Sequence, residues 1–262
     1  MLNLWRKGAP MKISASAAVW LVLSLAAACL TSCESPGEFF NNPTGSGGSH
    51  GLDEWGNRPG PRGFSTVVVD AGHGGKDSGA RSRRTGLTEK TLTLDTAQRL
   101  RSELSGSFHV VMTRGSDTFE DLDDRVRMAN RYGGILVSIH FNESGARMAG
   151  PETYWWRVDS YTLAKRVQSH LSSVTTQHNS RGLVRRRLRL TRNPATPCIL
   201  VEAGYISNST EGKSISSPSY RGKLARAIAA AIREQAAEGD DGLGPLPPFI
   251  KAPPSKHSDA RQ

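Results

Sequence analysis

From Thr66 onward, short β-branched runs alternate with apolar stripes at helical spacing, and this alternation restricts the fold more than any other property of the chain. Residues 66–70, 109–113, 135–139 and 198–202 have the length and composition of buried strands. Residues 153–156 and part of 183–190 are weaker strand candidates. Between them, Ala97, Leu100 and Leu104 share one helical face, and Leu122, Val126 and Ala129 share a second. Leu163, Val167, Leu171 and Val174 form a third stripe, and Leu224, Ala227, Ile228, Ala231 and Ile232 a fourth. Strands interleaved with helices predict a single α/β domain over residues 66–238. Its central sheet is expected to be mostly parallel or mixed, with helices on both faces.

The flanks read differently. Arg6, Lys7 and Lys12 precede an apolar stretch, residues 17–30, broken only by Ser24. A basic start followed by an apolar run shorter than the roughly 20 residues of a spanning helix is the pattern of a signal peptide, here residues 1–32. Either Met1 or Met11 leaves that start basic. The run ends in Leu30-Thr31-Ser32-Cys33, which resembles a bacterial lipobox. That resemblance implies a diacylglycerol thioether on Cys33; an ordinary secretory signal with a chance cysteine is the alternative. Glu34 follows where an aspartate would favour inner-membrane retention, so the weak preference is for the outer membrane, facing the periplasm. Residues 33–65 are rich in Gly, Pro, Ser and Asn and are expected to form a flexible tether. Residues 239–262 hold five prolines and are expected to form a disordered tail.

Charge narrows the partners. The chain carries a net +10, and removing residues 1–32 would take three basic residues and no acid. Much of the excess sits in Arg81, Arg83 and Arg84, and in Arg181, Arg185, Arg186, Arg187, Arg189 and Arg192. No aromatics interleave with them as stacking platforms would, so no nucleic-acid partner is expected. An acidic wall polymer fits better than nucleic acid, and a merely solvated basic face is the plainer alternative. Cys29 and Cys33 lie at the N-terminus and Cys198 in an apolar run, so no disulfide framework is implied.

Four polar residues fall where α/β domains place ligands, at the ends of strands. His73 follows the first run in Asp70-Ala71-Gly72-His73-Gly74-Gly75; His140 closes 135–139; Glu202 closes 198–201; Glu89 opens the helix that carries Leu100. Two neutral imidazoles and one carboxylate form a common catalytic zinc set with a fourth position open to water. A second carboxylate beside the metal can serve as general acid and base. Each residue taken alone has a plainer reading: a structural histidine, a helix-start carboxylate, a buried ion pair. Two other motifs fail. Gly47-Gly48-Ser49-His50-Gly51 matches a nucleophile elbow but follows no strand, and Gly75-Lys76 precedes Asp77 where a phosphate loop needs Ser or Thr. The residues alone lead to a metal hydrolase.

In order, VVVDAGHGGKDSGA, Glu89-Lys90 with its leucine-bearing helix, VVMTRGSDTF, LDDRVRMAN, ILVSIHFN, Arg181-Gly182 and PCILVEAGYISN resemble the type-3 zinc N-acetylmuramoyl-L-alanine amidases. The resemblance spans about residues 66–236. It implies Zn2+ held by His73, Glu89 and His140, with Glu202 catalytic in cleaving the amide between N-acetylmuramic acid and L-alanine of peptidoglycan. Arg125 and Asn142 fall on recurrent motif positions and are carried as candidate substrate contacts. Ala71, Ala203 and Tyr205 depart from the usual proline, threonine and phenylalanine, and none of these changes removes a ligand. The 62-residue interval from His140 to Glu202 is expected to hold a strand pair and one helix rather than an inhibitory insertion. The partners implied are peptidoglycan and, through Cys33, a membrane; an activator protein is left open. A catalytically silent wall-binding protein and another zinc hydrolase, such as a carboxypeptidase or deacetylase, are the alternatives. The intact residue set weighs against the first and the ordered motifs against the second.

Overall fold

The computed structural model describes residues 59–82, 84–145, 147–175 and 180–256. The expected signal peptide, the lipobox with Cys33 and most of the tether lie outside the described residues. Six strands form one sheet: β1 (Thr66–Ala71), β2 (His109–Met112), β3 (Ile135–Asn142), β4 (Glu152–Trp155), β5 (Gly182–Arg185) and β6 (Cys198–Tyr205). Their order is β2-β1-β3-β6-β4-β5. The first four are parallel; β4 runs antiparallel to β6 and carries β5 parallel to itself. The sheet is therefore mixed, and the carboxyl ends of β1, β3 and β6 share an edge with the amino ends of β4 and β5.

Alternation along each strand divides the core. Val67, Val69, Ile135, Val137, Ile139, Ile199 and Val201 pack under the three long helices α1 (Glu89–Leu104), α3 (Tyr161–Val174) and α6 (Pro218–Glu238). Among the described residues, the opposite face, with Val68, Leu136 and Cys198, is covered by α2 (Leu122–Tyr132) and the one-turn α4 (Arg189–Arg192). Heavy cover on one face and thin cover on the other leave the carboxyl ends of β3 and β6 accessible from the thin side. Cys198 is buried and its thiol is pushed up to about 12 by desolvation, which makes it an inert core residue.

Several boundaries differ from expectation. β3 and β6 each run three residues past the β-branched runs, so His140 and Glu202 sit inside strands, not beyond them. The interval between them holds β4, a 3-10 turn (Val158–Ser160), α3, β5 and α4. An unforeseen helix, α5 (Ser209–Ser216), follows β6. Neither flank is loose where it is described. Gly60 N donates to Asp240 at 2.8 Å, Gly63 N to Ala236 O at 2.8 Å, and Phe64 stacks on Phe108. The proline-rich segment has no helix or strand up to Lys256, but arginines hold it to the domain. Arg185 donates to Pro248 O at 2.6 Å, Arg187 to Pro253 O at 3.0 Å, Arg189 to Ser255 O at 2.8 Å, and Arg192 to Ala252 O at 3.1 Å. Carbonyls of a segment that lacks many N–H groups accept what the guanidiniums offer. Four of the arginines read as a possible polymer-binding face are thus structural.

Candidate metal centre

β1 delivers the chain into Gly72-His73-Gly74-Gly75 at the open edge. His73 adopts φ 60°, a left-handed conformation rare outside glycine. Gly72 must lack a side chain, because a Cβ there would lie 2.3 Å from His140 Cε1. Two buried arginines fix the loop from below. Arg114 donates through Nε to Ala71 O at 2.8 Å and through Nη2 to Gly72 O at 2.9 Å. Arg125 donates to Ala71 O at 2.8 Å, His73 O at 2.8 Å and Glu120 O at 3.0 Å, and its Nη1 pairs with Asp70 at 2.5 Å. Asp70, buried within β1, also accepts from Thr113 and Ser138, each at 2.6 Å. Burial alone would raise its pKa, but Arg125 and the two hydroxyls hold it below the usual carboxylate range.

Glu89 reaches the same edge from the first turn of α1. Its Oε2 accepts from Ala80 N at 2.9 Å and its Oε1 from Phe141 N at 3.0 Å. The same oxygens face His73 Nε2 at 3.1 Å and His140 Nδ1 at 3.0 Å. One donor atom from each of His73, Glu89 and His140 lies within 4.8 Å of the other two, the only such cluster found among the described residues. Asp77 Oδ2 stands 2.8 Å from His73 Nδ1, the outer carboxylate–imidazole contact that orients a ligating histidine. Despite burial, the two imidazoles hold the Glu89 carboxyl far below its ordinary value; burial likewise works against protonation of His73, but Glu89 and Asp77 prevail and raise its pKa above the ordinary one. Two imidazoles, one anionic carboxylate and a second shell suit a small divalent ion of borderline softness.

Glu202 sits on β6 directly beside His140 of β3, and on its other side faces Glu152 of β4. Its Oε2 is shielded from solvent and has no hydrogen-bond partner among the described residues. Burial first, then the negative charges of Glu89 and Glu152, push its pKa well above that of an ordinary glutamate, with Arg186 opposing. A buried carboxyl with an orphaned oxygen next to a candidate metal cluster is the arrangement expected of a proton carrier. A cleft of about 200 Å³ opens over the cluster, lined by His73, Asp77, Phe119, Leu122, Arg125 and His140. Phe119 is 42% exposed, with Lys76 Nζ 4.3 Å from its ring centroid.

All four residues singled out in the sequence for chemistry meet at this edge. Asn142, at the end of β3, donates to the Tyr205 hydroxyl at 3.3 Å. Arg125, carried as a candidate substrate contact, lines the cleft. Four of its five N–H donors bind protein oxygens, so it positions the His73 loop. Sequence reasoning missed Asp70, Asp77 and Arg114. A carboxylate inside an apolar strand run was the available signal for Asp70, since a buried charge requires a partner.

The chain carries the pattern of the Amidase_3 family, N-acetylmuramoyl-L-alanine amidase, over residues 67–234. It is 34% identical over 172 residues to the probable cell wall amidase LytH of Staphylococcus epidermidis, covering 64% of this chain and 57% of that one. It therefore spans little more than half the length of this curated relative. The catalytic domain of CwlV, an N-acetylmuramoyl-L-alanine amidase from Bacillus (Paenibacillus) polymyxa var. colistinus, superposes with a TM-score of 0.62 at 35% identity, covering 65% of this chain and 97% of that one. The CwlD amidase of Clostridioides difficile, solved in complex with the GerS lipoprotein, matches with a TM-score of 0.62 at 28% identity over 65% of this chain and 97% of that one.

Proposed function

Because the chain belongs to the Amidase_3 family of N-acetylmuramoyl-L-alanine amidases, we propose that it is a zinc-dependent hydrolase of peptidoglycan, cutting the amide between the lactyl group of N-acetylmuramic acid and L-alanine. The observation that carries this reading is the convergence of His73, Glu89 and His140 within 4.8 Å, with Glu202 beside them. Those three side chains would hold the ion. When bound, zinc supplies a Lewis acid for the scissile carbonyl and lowers the pKa of water to about 7.

The remaining work belongs to the chain itself. Glu202 removes the proton of the attacking water and returns it to the departing alanine nitrogen. Its orphaned Oε2 supports this role, being free to bind that proton. Arg125 and Arg114 hold the His73 loop, and Asp77 fixes the His73 ring, so the site needs little rearrangement as charge develops. Asn142 stands as a substrate contact at the end of β3. The intact cluster favours activity over a silent wall-binding role.

The leader supports a lipid on Cys33 and a site in the cell envelope, anchored to the outer membrane and facing the periplasm. No helix among the described residues is long and apolar enough to cross a membrane. For the catalytic assignment, metal content and turnover are measured together. Glu202→Gln is expected to keep one zinc per chain while releasing peptide from muropeptides about 10²–10⁴-fold more slowly. Wild-type turnover in that variant would remove Glu202 from its role.

A further inference from the structure

We infer that Arg181 receives a carboxylate of the stem peptide and so sets substrate preference, an assignment that rests on the amidase reading. Functional groups form a row across the sheet edge. His140 on β3, Glu202 on β6 and Glu152 on β4 are register partners on three adjacent strands, so their side chains share one face. Gly182 on β5 pairs with Glu152, and Arg181 immediately precedes it.

Arg181 and Arg186 differ from the other arginines of this stretch, Arg186 lying over the Tyr154 ring at 5.8 Å. Arg185, Arg187, Arg189 and Arg192 donate to carbonyls of the C-terminal segment. The Arg181 guanidinium instead lies over the Tyr205 ring, 5.6 Å from its centroid. Its Nε is 3.7 Å from Glu152 Oε1 and its Nη1 is 3.7 Å from the Met148 sulfur, and its side chain is 33% exposed. The Glu152 distance exceeds the roughly 2.8 Å of a good guanidinium–carboxylate hydrogen bond, and a thioether is a weak acceptor, so the guanidinium keeps donors to offer an incoming carboxylate. Two phenols hold the other oxygen of Glu152, Tyr154 at 2.8 Å and Tyr205 at 3.2 Å, and so share its charge with Arg181. The Tyr205 hydroxyl, at a position where the resembled family usually has phenylalanine, thus helps fix Glu152 while its ring lies under Arg181.

The polarity of the scissile bond says which half of the substrate lies here. The departing nitrogen takes its proton from Glu202, so the peptide leaves on the β6 side and runs over β4 toward β5. The glycan lies on the His73 and Phe119 side. Two strand spacings separate Glu202 from β5, about 10 Å. A carboxylate on the residue after L-alanine stands about 7 Å from the scissile nitrogen in an extended chain, and the arginine, lying over the Tyr205 ring of β6, spans the difference. Arg181 is the cation paired with Glu152, whose negative charge would otherwise repel that anion.

The test uses full-length, zinc-loaded protein and two synthetic muropeptides that differ in one group: the carboxylate of the residue after L-alanine, free or amidated. Wild type is expected to cleave the free acid with a kcat/KM about tenfold or more above the amide, the scale of one charge-assisted pair. Arg181→Gln should lose that factor on the free acid while changing the amide less than about threefold, and Arg181→Lys should recover part of it. Equal cleavage of both substrates by wild type, or an equal loss on both in Arg181→Gln, would overturn the inference. Calorimetric titration with the released peptides gives a readout without turnover, in which wild type alone should favour the free acid. If wild type cleaves neither muropeptide, the amidase reading fails; the titration then still decides whether Arg181 binds a peptide carboxylate, equal affinities for acid and amide counting against it.

Discussion

Asp70 touches no expected ligand of the metal, yet the site is built around it. It sits in the middle of β1 with Thr113, Ser138 and Arg125 on its oxygens, and the same Arg125 holds the carbonyls of Ala71 and His73. Breaking a buried pair leaves an unpaired charge, at a cost of about 3–5 kcal/mol. Arg125→Ala should therefore lower the denaturation midpoint at neutral pH. Because the folded pKa of Asp70 lies below its ordinary 3.8, the stabilisation is full above that value and is lost as the pH falls through the folded value. The gap between wild type and Arg125→Ala in chemical denaturation should accordingly narrow below about pH 4; a gap constant from pH 7 to pH 3 would deny Asp70 this part. At this scale the sequence was half legible. His73, His140 and Glu202 lie at or just past apolar strand runs, which marks them. Glu152 and Arg181 lie in weakly patterned sequence, and only the pairing of β4 with β6 brings them beside Glu202.

Strand ends were harder to read than strand centres, for a physical reason. The Phe141-Asn142 and Ala203-Gly204-Tyr205 ends are not β-branched, and they extend because β3 and β6 pair with each other, through a register shift near Asn142. The antiparallel direction of β4 has no local signature at all. Helix α5 is mostly polar and shows no apolar stripe, but Asn208 caps it by accepting from Thr210 and Glu211, and Asn followed three residues later by Glu was a readable start signal. For the C-terminal segment, composition shows a lack of core-forming residues and says nothing of carbonyls that arginines can bind. Removing residues 245–262 should leave peptide release intact and lower the melting temperature by several degrees, at roughly 2–4 °C per kcal/mol for a domain of this size. An unchanged melting temperature would mean that Arg185, Arg187, Arg189 and Arg192 do not hold the segment in solution.

The asymmetry of the whole molecule places the chemistry. Three long helices bury one face of the sheet, while α2 and the short α4 leave the other open where β1, β3 and β6 end. An amphipathic pattern shows that helices cover both faces, but not how evenly. On the proposed lipid attachment, Cys33→Ser should move the protein from the membrane fraction to the soluble periplasm, and continued sedimentation with membranes would refute the anchor. The central claim, a zinc centre at the open edge that severs stem peptides from glycan, is tested most directly by mass spectrometry of the products from purified peptidoglycan. Wild-type protein should release peptides that begin with a free L-alanine amine and leave glycan strands bearing lactyl carboxylates. Chelation should abolish both products and added zinc restore them. Fragments cut within the peptide or between sugars, or the same products undiminished after chelation, would contradict it.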